Sequence, residues 1–587
     1  MISAEPEVLD LEPETLEFDD TPPAAMSLLA PVLRGNFSLR DYQQECLDSI
    51  ASDFKQFGRL LAVLATGCGK TEIFNQVARA EVNAGGRVLI IAHTEELLDQ
   101  AADKLERRTG LISEREKAAD HASLSATIVI ASVQTLSRNH RLTGFPDNHF
   151  TLVIVDEAHR SLAASYQKVL CYFHFGEASL APEWKMPEPG VPFEFKAKIL
   201  GVTATADRGD KRTLGEFYQH CSFDYGLLQA CRDGFLVRPV AVQVPLEINL
   251  RNVKVARSSS GSDFDATELS HRITPFLQAI ARAIVMHAKN RKTVCFLPGV
   301  ETARLMSEAL IAEGVDASFV SGACEDRAEK LERFSKAGQG TAIANAMLLT
   351  EGWDCPDVSC VCILRPTKIR SLYTQMAGRG TRTLPGCIDG LTTREERLLA
   401  IACSKKPDLI LLDFLWLSDR LDLVQPVDLI ATSPKVREAM VKNGGKGDLL
   451  DLVEAADRDL LKSLEDAARR NSKKKARVID PLAWAVSLGD AQLASWEPET
   501  PWDSLKPTPG QNDLLTRKGI DAEKIQFRGL ASKLIDRVIN RHRLGLCTVK
   551  QMSFLDRLGI KDSALLTFDE AKAAIDAKIK HFSPSSS

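Results

Sequence analysis

Between Leu39 and Arg208, short runs of consecutive apolar residues alternate with longer stretches whose apolar positions recur at helical spacing. Residues 60–64, 88–92, 128–131, 152–155 and 199–202 are too short for helices and are largely aliphatic or β-branched. Unbroken apolar runs mark strands buried on both faces, and amphipathic helices between them imply a parallel sheet. The pattern recurs further on, with strands predicted at 293–297, 317–320, 341–344, 358–364 and 409–414. Residues 177–198 are rich in proline and charge and read as a surface insertion. Residues 258–262, Ser-Ser-Ser-Gly-Ser, read as a flexible spacer between the two lobes.

The C-terminal part repeats itself with a period of 40 residues. Thr508, Gln511, Leu515, Arg517, Gly519 and Ile520 match Thr548, Gln551, Leu555, Arg557, Gly559 and Ile560. The match continues from Ala531 to Ala571 and from Ile535-Asp536 to Ile575-Asp576. Each copy reads as a short helix, a Gly-Ile turn and a second amphipathic helix; two copies pack together because one pair buries too little. Arg528, Lys533, Arg537, Arg541 and Arg543 suggest a basic face on the first copy. The expected organisation is an acidic disordered tail (1–30), a first lobe (31–208), a connector (209–272), a second lobe (273–424), a helical linker region (425–504) and a helical tandem-repeat domain (505–587). The fold class is α/β, two tandem parallel-sheet lobes followed by an α-helical region.

Charge narrows the partners little. The 587 residues carry a net charge of −5, so a nucleic-acid site must be a local basic stripe. Glu5, Glu7, Asp10, Glu12, Glu14, Glu17, Asp19 and Asp20 crowd the N-terminus without a basic n-region or an apolar h-region, unlike a signal peptide. No apolar run reaches the roughly 20 residues of a membrane span. The 13 cysteines are scattered without a CxxC pair, which suits a reducing cytoplasm; Cys355, Cys360 and Cys362 read as small buried side chains.

The chemistry starts at Ala65-Thr66-Gly67-Cys68-Gly69-Lys70-Thr71, which follows a predicted strand and opens a helix. That is the setting of a phosphate-binding loop: glycines let the backbone turn toward phosphate oxygens, and the helix N-terminus favours an anion. Lys70 neutralises β- and γ-phosphates and Thr71 holds Mg²⁺ in such a loop, although Leu64 stands where its strict form has a first glycine. The predicted strand 152–155 then runs into Asp156-Glu157-Ala158-His159. A carboxylate at that strand end suits a metal beside Thr71, and Glu157 suits a residue that orients water toward a γ-phosphate.

Asp156-Glu-Ala-His159 is a DEAH box, and residues 39–414 resemble superfamily-two helicases and translocases, whose lobes are RecA-like. The resemblance implies adenine recognition by Arg40-Asp-Tyr-Gln43, with Gln43 reading the base. It implies nucleic-acid contacts by His93 and Thr94, by Gln134 and Thr135, and by Thr350. Thr203-Ala-Thr205 matches the segment that couples hydrolysis to lobe movement. Thr350-Glu-Gly-Trp-Asp354 matches the bridge between nucleotide and strand, with Gly352 and Asp354 on the nucleotide side. Gln375-Met-Ala-Gly-Arg379-Gly-Thr-Arg382 matches the QxxGRxxR motif, whose arginines stabilise the charge that develops on the transferred phosphoryl group. Residues 363–367 and 371–375 resemble the restriction-subunit and RadD-type DNA-repair branch, but the chain lacks that type's C-terminal cysteine ribbon. Asp562, Glu570 and Lys572 imitate a nuclease site only loosely and fit the helical repeat.

The expected function is an ATP-dependent DNA helicase or translocase using ATP and Mg²⁺. The alternatives are an RNA helicase, or a nucleic-acid-gated ATPase subunit that recruits a partner without unwinding. Residues 505–587 are the candidate surface for a protein partner, and no membrane association is expected.

Overall fold

The computed structural model describes residues 39–92, 95–187, 194–205, 214–251, 253–258, 261–322, 324–346, 353–417, 423–471, 481, 484–485, 488, 490–494, 496, 498, 503–558, 560 and 563–582. The first lobe contains β1 (Arg59–Leu64), β2 (Val88–Ala92), β3 (Glu114–Glu116), β4 (Ile128–Ser132), β5 (Leu152–Asp156), β6 (Lys198–Thr203) and β7 (His220–Tyr225). They form one parallel sheet in the order β3-β4-β2-β5-β6-β1-β7. Every residue of β1, β2 and β4 is buried, as strands covered on both faces require. Three helices matter for the site: α1 (Asp41–Asp53), α2 (Lys70–Asn83) and α3 (Glu95–Thr109).

The second lobe is built from β8 (Arg238–Asn249), β11 (Thr293–Leu297), β12 (Asp316–Val320), β13 (Thr341–Ala346), β14 (Cys360–Ile363), β15 (Asp408–Leu417) and the short β16 (Gly447–Asp448), in the order β12-β13-β11-β14-β15-β8-β16. All pairs are parallel except β16 with β8. A separate antiparallel pair, β9 (Val255–Ser258) with β10 (Gly261–Phe264), takes in Ser258, Gly261 and Ser262 of the expected flexible spacer, whose residues 259 and 260 lie outside the described residues. Its base is tied down because Asp263, buried, accepts from the Thr367 hydroxyl at 2.9 Å and the Lys368 N–H at 3.2 Å. Fold class is as expected, two parallel-sheet lobes followed by helices.

Two expected boundaries shift. The stretch 209–272 is no mere connector, since β7 completes the first sheet beside β1 and β8 pairs along β15 in the second. The lobes are thus joined by only the few residues between the helix Leu227–Arg232 and β8. Nor is 425–471 a linker: Val436, Met440, Leu449, Leu450, Val453 and Ala456 join the same apolar core as both lobes.

The repeat has its own core, in which Leu515, Ile520, Ala531 and Leu534 of the first copy meet Leu555, Ala571 and Ile575 of the second, with Trp484 fully buried among them. The two copies open their first helices identically. Thr508 Oγ1 accepts from the Gln511 N–H at 3.2 Å while Gln511 Oε1 accepts from the Thr508 N–H at 2.9 Å. Thr548 and Gln551 repeat both bonds at the same distances. Two of the five residues of the expected basic face are engaged: Arg537 donates to Asp490 at 2.7 Å, and Arg541 donates to the carbonyls of Cys547 and Ala564 at 3.0 and 2.9 Å. Glu570 likewise caps its own helix through the Thr567 N–H at 2.9 Å, which leaves the imitation nuclease site without its central carboxylate; Asp562 lies outside the described residues. Cys355, Cys360 and Cys362 are buried. Among the described residues no helix is long and apolar enough to cross a membrane.

Candidate functional site

The site begins where β1 ends and the chain turns through residues 65–69 into α2. Gly67 (φ 94°) and Gly69 (φ 79°) adopt left-handed backbone, where an L side chain is strained. A side chain at either would also crowd its neighbours. A Cβ at Gly67 would lie 3.0 Å from Cγ of Arg382, and one at Gly69 would lie 2.5 Å from Nε2 of Gln43. The turn therefore opens against the N-terminus of α2, where partial positive charge favours an anion. Lys70 and Thr71 begin that helix.

Cys68 serves through its carbonyl. That oxygen accepts from the Tyr42 hydroxyl at 3.0 Å and from Gln43 Nε2 at 3.3 Å, which ties the loop to α1. Burial pushes the Cys68 thiol up to about 12, so it is no nucleophile at neutral pH. Gln43 Oε1 in turn accepts from the Arg40 N–H at 3.0 Å. Arg40 donates to the Tyr42 hydroxyl at 3.3 Å, and Tyr42 stacks on Tyr225 with ring centroids 4.3 Å apart.

Across the cleft floor, Asp156 ends β5, and its Oδ1 accepts from the Glu157 N–H at 3.0 Å. Glu157 has φ 54°, a left-handed conformation that costs about 1–3 kcal/mol outside glycine and that clusters at functional sites. Burial alone would raise its carboxyl, but the Lys70 ammonium, His159 and Arg160 overcome that and hold it well below the usual carboxylate range. Glu157 is therefore an anion within the electrostatic reach of Lys70. His159 joins two motifs, since its Nδ1 lies 3.3 Å from Glu157 Oε2 and 3.4 Å from Thr203 Oγ1. Thr203 Oγ1 donates to the Thr205 carbonyl at 2.9 Å.

The second lobe closes the site with the helix Arg370–Gly378 and the residues after it. A Cβ at Gly378 would lie 2.7 Å from Cβ of Thr66, so the two lobes touch backbone to loop. Gln375 is buried in that helix. Arg379 donates to the Trp353 carbonyl and Arg382 pairs with Asp354. Contacts thus bring Thr66, Gly67, Cys68 and Gly69 together with Gln43, Gly378 and Arg382, while Lys70 acts on Glu157 beside Asp156. The Thr71 hydroxyl and the Asp156 carboxylate offer two hard oxygens, a donor set that suits Mg²⁺ completed by phosphates and water. Among the described residues no three His, Cys, Asp or Glu side chains form a metal cage of their own.

The expected nucleic-acid contacts fare differently. His93, Thr94, Thr350 and Gly352 lie outside the described residues. Gln134 is exposed, and Ser132 Oγ donates to its Oε1 at 2.6 Å. Thr135 is buried instead of facing a ligand: its hydroxyl accepts from the Ala118 N–H at 3.2 Å, bracing the segment after β3.

Two residues at the site had no signal in the sequence. Phe235, between the lobes, lies under the Arg40 guanidinium at 5.1 Å and the Arg397 guanidinium at 4.1 Å from its ring centroid. Arg397 lies on the helix Arg394–Ala402 of the second lobe, 162 positions away from Phe235, and neither belongs to a short motif.

Residues 36–208 match the family model described as the res subunit of type III restriction enzymes, and residues 276–383 match the helicase conserved C-terminal domain. Among similar proteins, the ATP-dependent helicase candidate IRC3 of Saccharomyces cerevisiae is 31% identical over 361 residues, 59% of this chain and 49% of its own. The mitochondrial ATP-dependent helicase candidate irc3 of Schizosaccharomyces pombe is 31% identical over 361 residues, 60% of this chain and 56% of its own. The endonuclease subunit of the type I restriction enzyme EcoAI of Escherichia coli is 21% identical over 554 residues, 85% of this chain and 59% of its own. The chain spans about half the length of the two yeast relatives.

Proposed function

We propose that the chain is a superfamily-two helicase of the restriction-subunit type, a reading its matches to the res-subunit and helicase C-terminal models and to IRC3 support, and we infer that it hydrolyses ATP in the cleft between its two lobes and uses lobe closure to move on or remodel DNA. The observation that carries the reading is the meeting of Gly67 and Arg382, loop of one lobe and finger of the other. Neither lobe alone holds both the phosphate-neutralising lysine and the arginine that stabilises the transferred phosphoryl group.

The division of labour follows from the geometry. Lys70 and the N-terminus of α2 hold the phosphate chain. Glu157, ionised at neutral pH, orients the attacking water and takes up its proton. Arg382 and Arg379 supply positive charge where it develops, which in other nucleotide hydrolases is worth roughly 10³–10⁵ in rate. Mg²⁺ held by Thr71 and Asp156 would neutralise charge between the β- and γ-phosphates. Hydrolysis changes what Arg382 and His159 face, and Thr203 carries that change from the carboxylate toward Thr205.

DNA is favoured over RNA because the matched first-lobe model and the EcoAI relative are restriction-enzyme subunits. Residues 505–587 are proposed as a docking surface for a protein partner. The deciding measurement is steady-state ATP hydrolysis without nucleic acid, then with single-stranded, duplex or forked DNA and with RNA, beside Lys70→Ala. Strong stimulation by DNA, abolished in Lys70→Ala, is expected. Stimulation by RNA alone would move the protein to the RNA helicases, and inactivity on every substrate would sink the autonomous motor.

A further inference from the structure

The residues joining the lobes are gripped from both sides. Arg394 Nε donates to the Arg232 carbonyl at 2.7 Å, and Arg397 Nε donates to the Asp233 carbonyl at 2.9 Å. Arg397 is buried, and its Nη1 also donates to the Thr392 carbonyl at 3.0 Å. The contact is close enough that a Cβ at Gly234 would lie 2.9 Å from Cβ of Arg397. Two guanidinium groups on one ring repel each other. The stack of Arg40 and Arg397 on Phe235 therefore depends on these carbonyl acceptors and on the ring they share.

The same few residues hold the finger. The Val237 N–H donates to the Thr381 carbonyl at 2.8 Å, and Leu236 forms a β-bridge with Arg382. Leu236 also reaches the phosphate loop, since Cδ2 of Leu236 and Cγ of Arg382 both lie 3.0 Å from where a Gly67 Cβ would be. A displacement at Asp233 or Phe235 is thus passed within two or three residues to the backbone of Arg382. At the other end of the stack stands Arg40, part of the base-reading motif.

We propose that Arg397 is a positioning residue for ATP hydrolysis: through Asp233 and Phe235 it holds the inter-lobe segment that sets Arg382 against the phosphate loop. The stack ties finger placement to Arg40, so that base recognition and finger position are read by one piece of chain. This rests on the reading of the cleft as an ATP site. Arg397 itself touches no reacting atom.

The test is single-turnover hydrolysis of radiolabelled ATP by excess full-length protein with saturating DNA, for wild type, Arg397→Ala, Arg382→Ala and the double variant. Arg397→Ala is expected to slow the chemical step about 10²-fold, the cost of a roughly 1 Å misplacement of a catalytic group. The ATP concentration giving half-maximal rate should move by less than about threefold, because the finger acts in the transition state. The double variant should be no slower than Arg382→Ala, since a finger already absent cannot be misplaced. A double variant slowed by the product of the two single effects, or an Arg397→Ala protein at wild-type rate, overturns the proposal. Phe235→Leu, which keeps an apolar side chain but removes the ring, serves if Arg397→Ala does not fold. It should show the same slowing and the same non-additivity with Arg382→Ala, and additive slowing there would equally overturn the proposal. An inactive wild type would sink the ATP reading and this proposal with it; an active wild type with additive variants sinks the proposal alone.

Discussion

Lys406 is fully buried, and its ammonium donates to the Pro356 carbonyl at 2.5 Å. Burial brings it down to about 7, against the pull of Asp357 and Cys355. An unfolded lysine titrates near 10.4. Between these values the unfolded chain binds the extra proton, so stability rises with pH across that window. The contribution is complete above the unfolded value and gone once pH has fallen through about 7. Thermal unfolding measured from pH 6.5 to 9.5 should show a rising midpoint in the wild type and a flatter profile in Lys406→Met; parallel profiles would discount the role. The same scale explains what could be read in advance. Lys70, Asp156 and Arg382 were legible because each sits in a short motif whose spacing reflects one turn or strand end. Phe235 and Arg397 were not, because their contact exists only after two lobes fold and meet. A motif match such as that at Thr135 says nothing about which way a hydroxyl points, and there the oxygen accepts from the Ala118 N–H.

Among elements, the central strands of the first sheet and the edge strand β12 were legible, whereas β7 and β8 were not. β1, β2, β4 and β5 are continuous apolar runs because sheet neighbours and helices enclose them. β7, His-Cys-Ser-Phe-Asp-Tyr, lies at the sheet edge and carries polar residues that a buried strand would exclude. β8 contains Pro239 and Pro245, which argue against a central strand; it tolerates them because its second neighbour, β16, spans only two residues. The 40-residue repeat was legible in its turns and caps. Because the capping bonds at Thr508 and Thr548 are equivalent, Thr508→Ala and Thr548→Ala should each cost about 0.5–2 kcal/mol of the repeat's stability. Chemical denaturation of the two variants should give matched losses without a change in ATP hydrolysis; a loss at one site alone would break the equivalence.

For the whole molecule, the repeat has an apolar core separate from that of the two lobes. Its core contains no residue of either lobe, while one apolar core runs continuously through both lobes and the helices after them. It nevertheless faces the first lobe. The carboxyl of Asp224, an exposed residue of β7, lies within the electrostatic reach of Lys533 in the first copy. Removal of residues 472–587 should therefore leave DNA-stimulated ATP hydrolysis intact. DNA affinity at a fixed salt concentration should change by less than about twofold, because Arg537 and Arg541 are engaged within the repeat and neutralise no phosphate. A large loss of affinity, with a shallower salt dependence, would instead make the repeat a nucleic-acid module.

The pairing of β8 with β15 has a mechanical meaning. β8 begins directly after the inter-lobe residues, and its partners run from Arg238 opposite Asp408 to Asn249 opposite Leu417. Tension between the lobes enters the second sheet along the length of that strand. Parallel neighbours loaded end to end share the pull among many hydrogen bonds at once; they do not peel apart one bond at a time. Under load, the joint between the lobes would yield in the short chain around Gly234 before its anchorage in the sheet gave way.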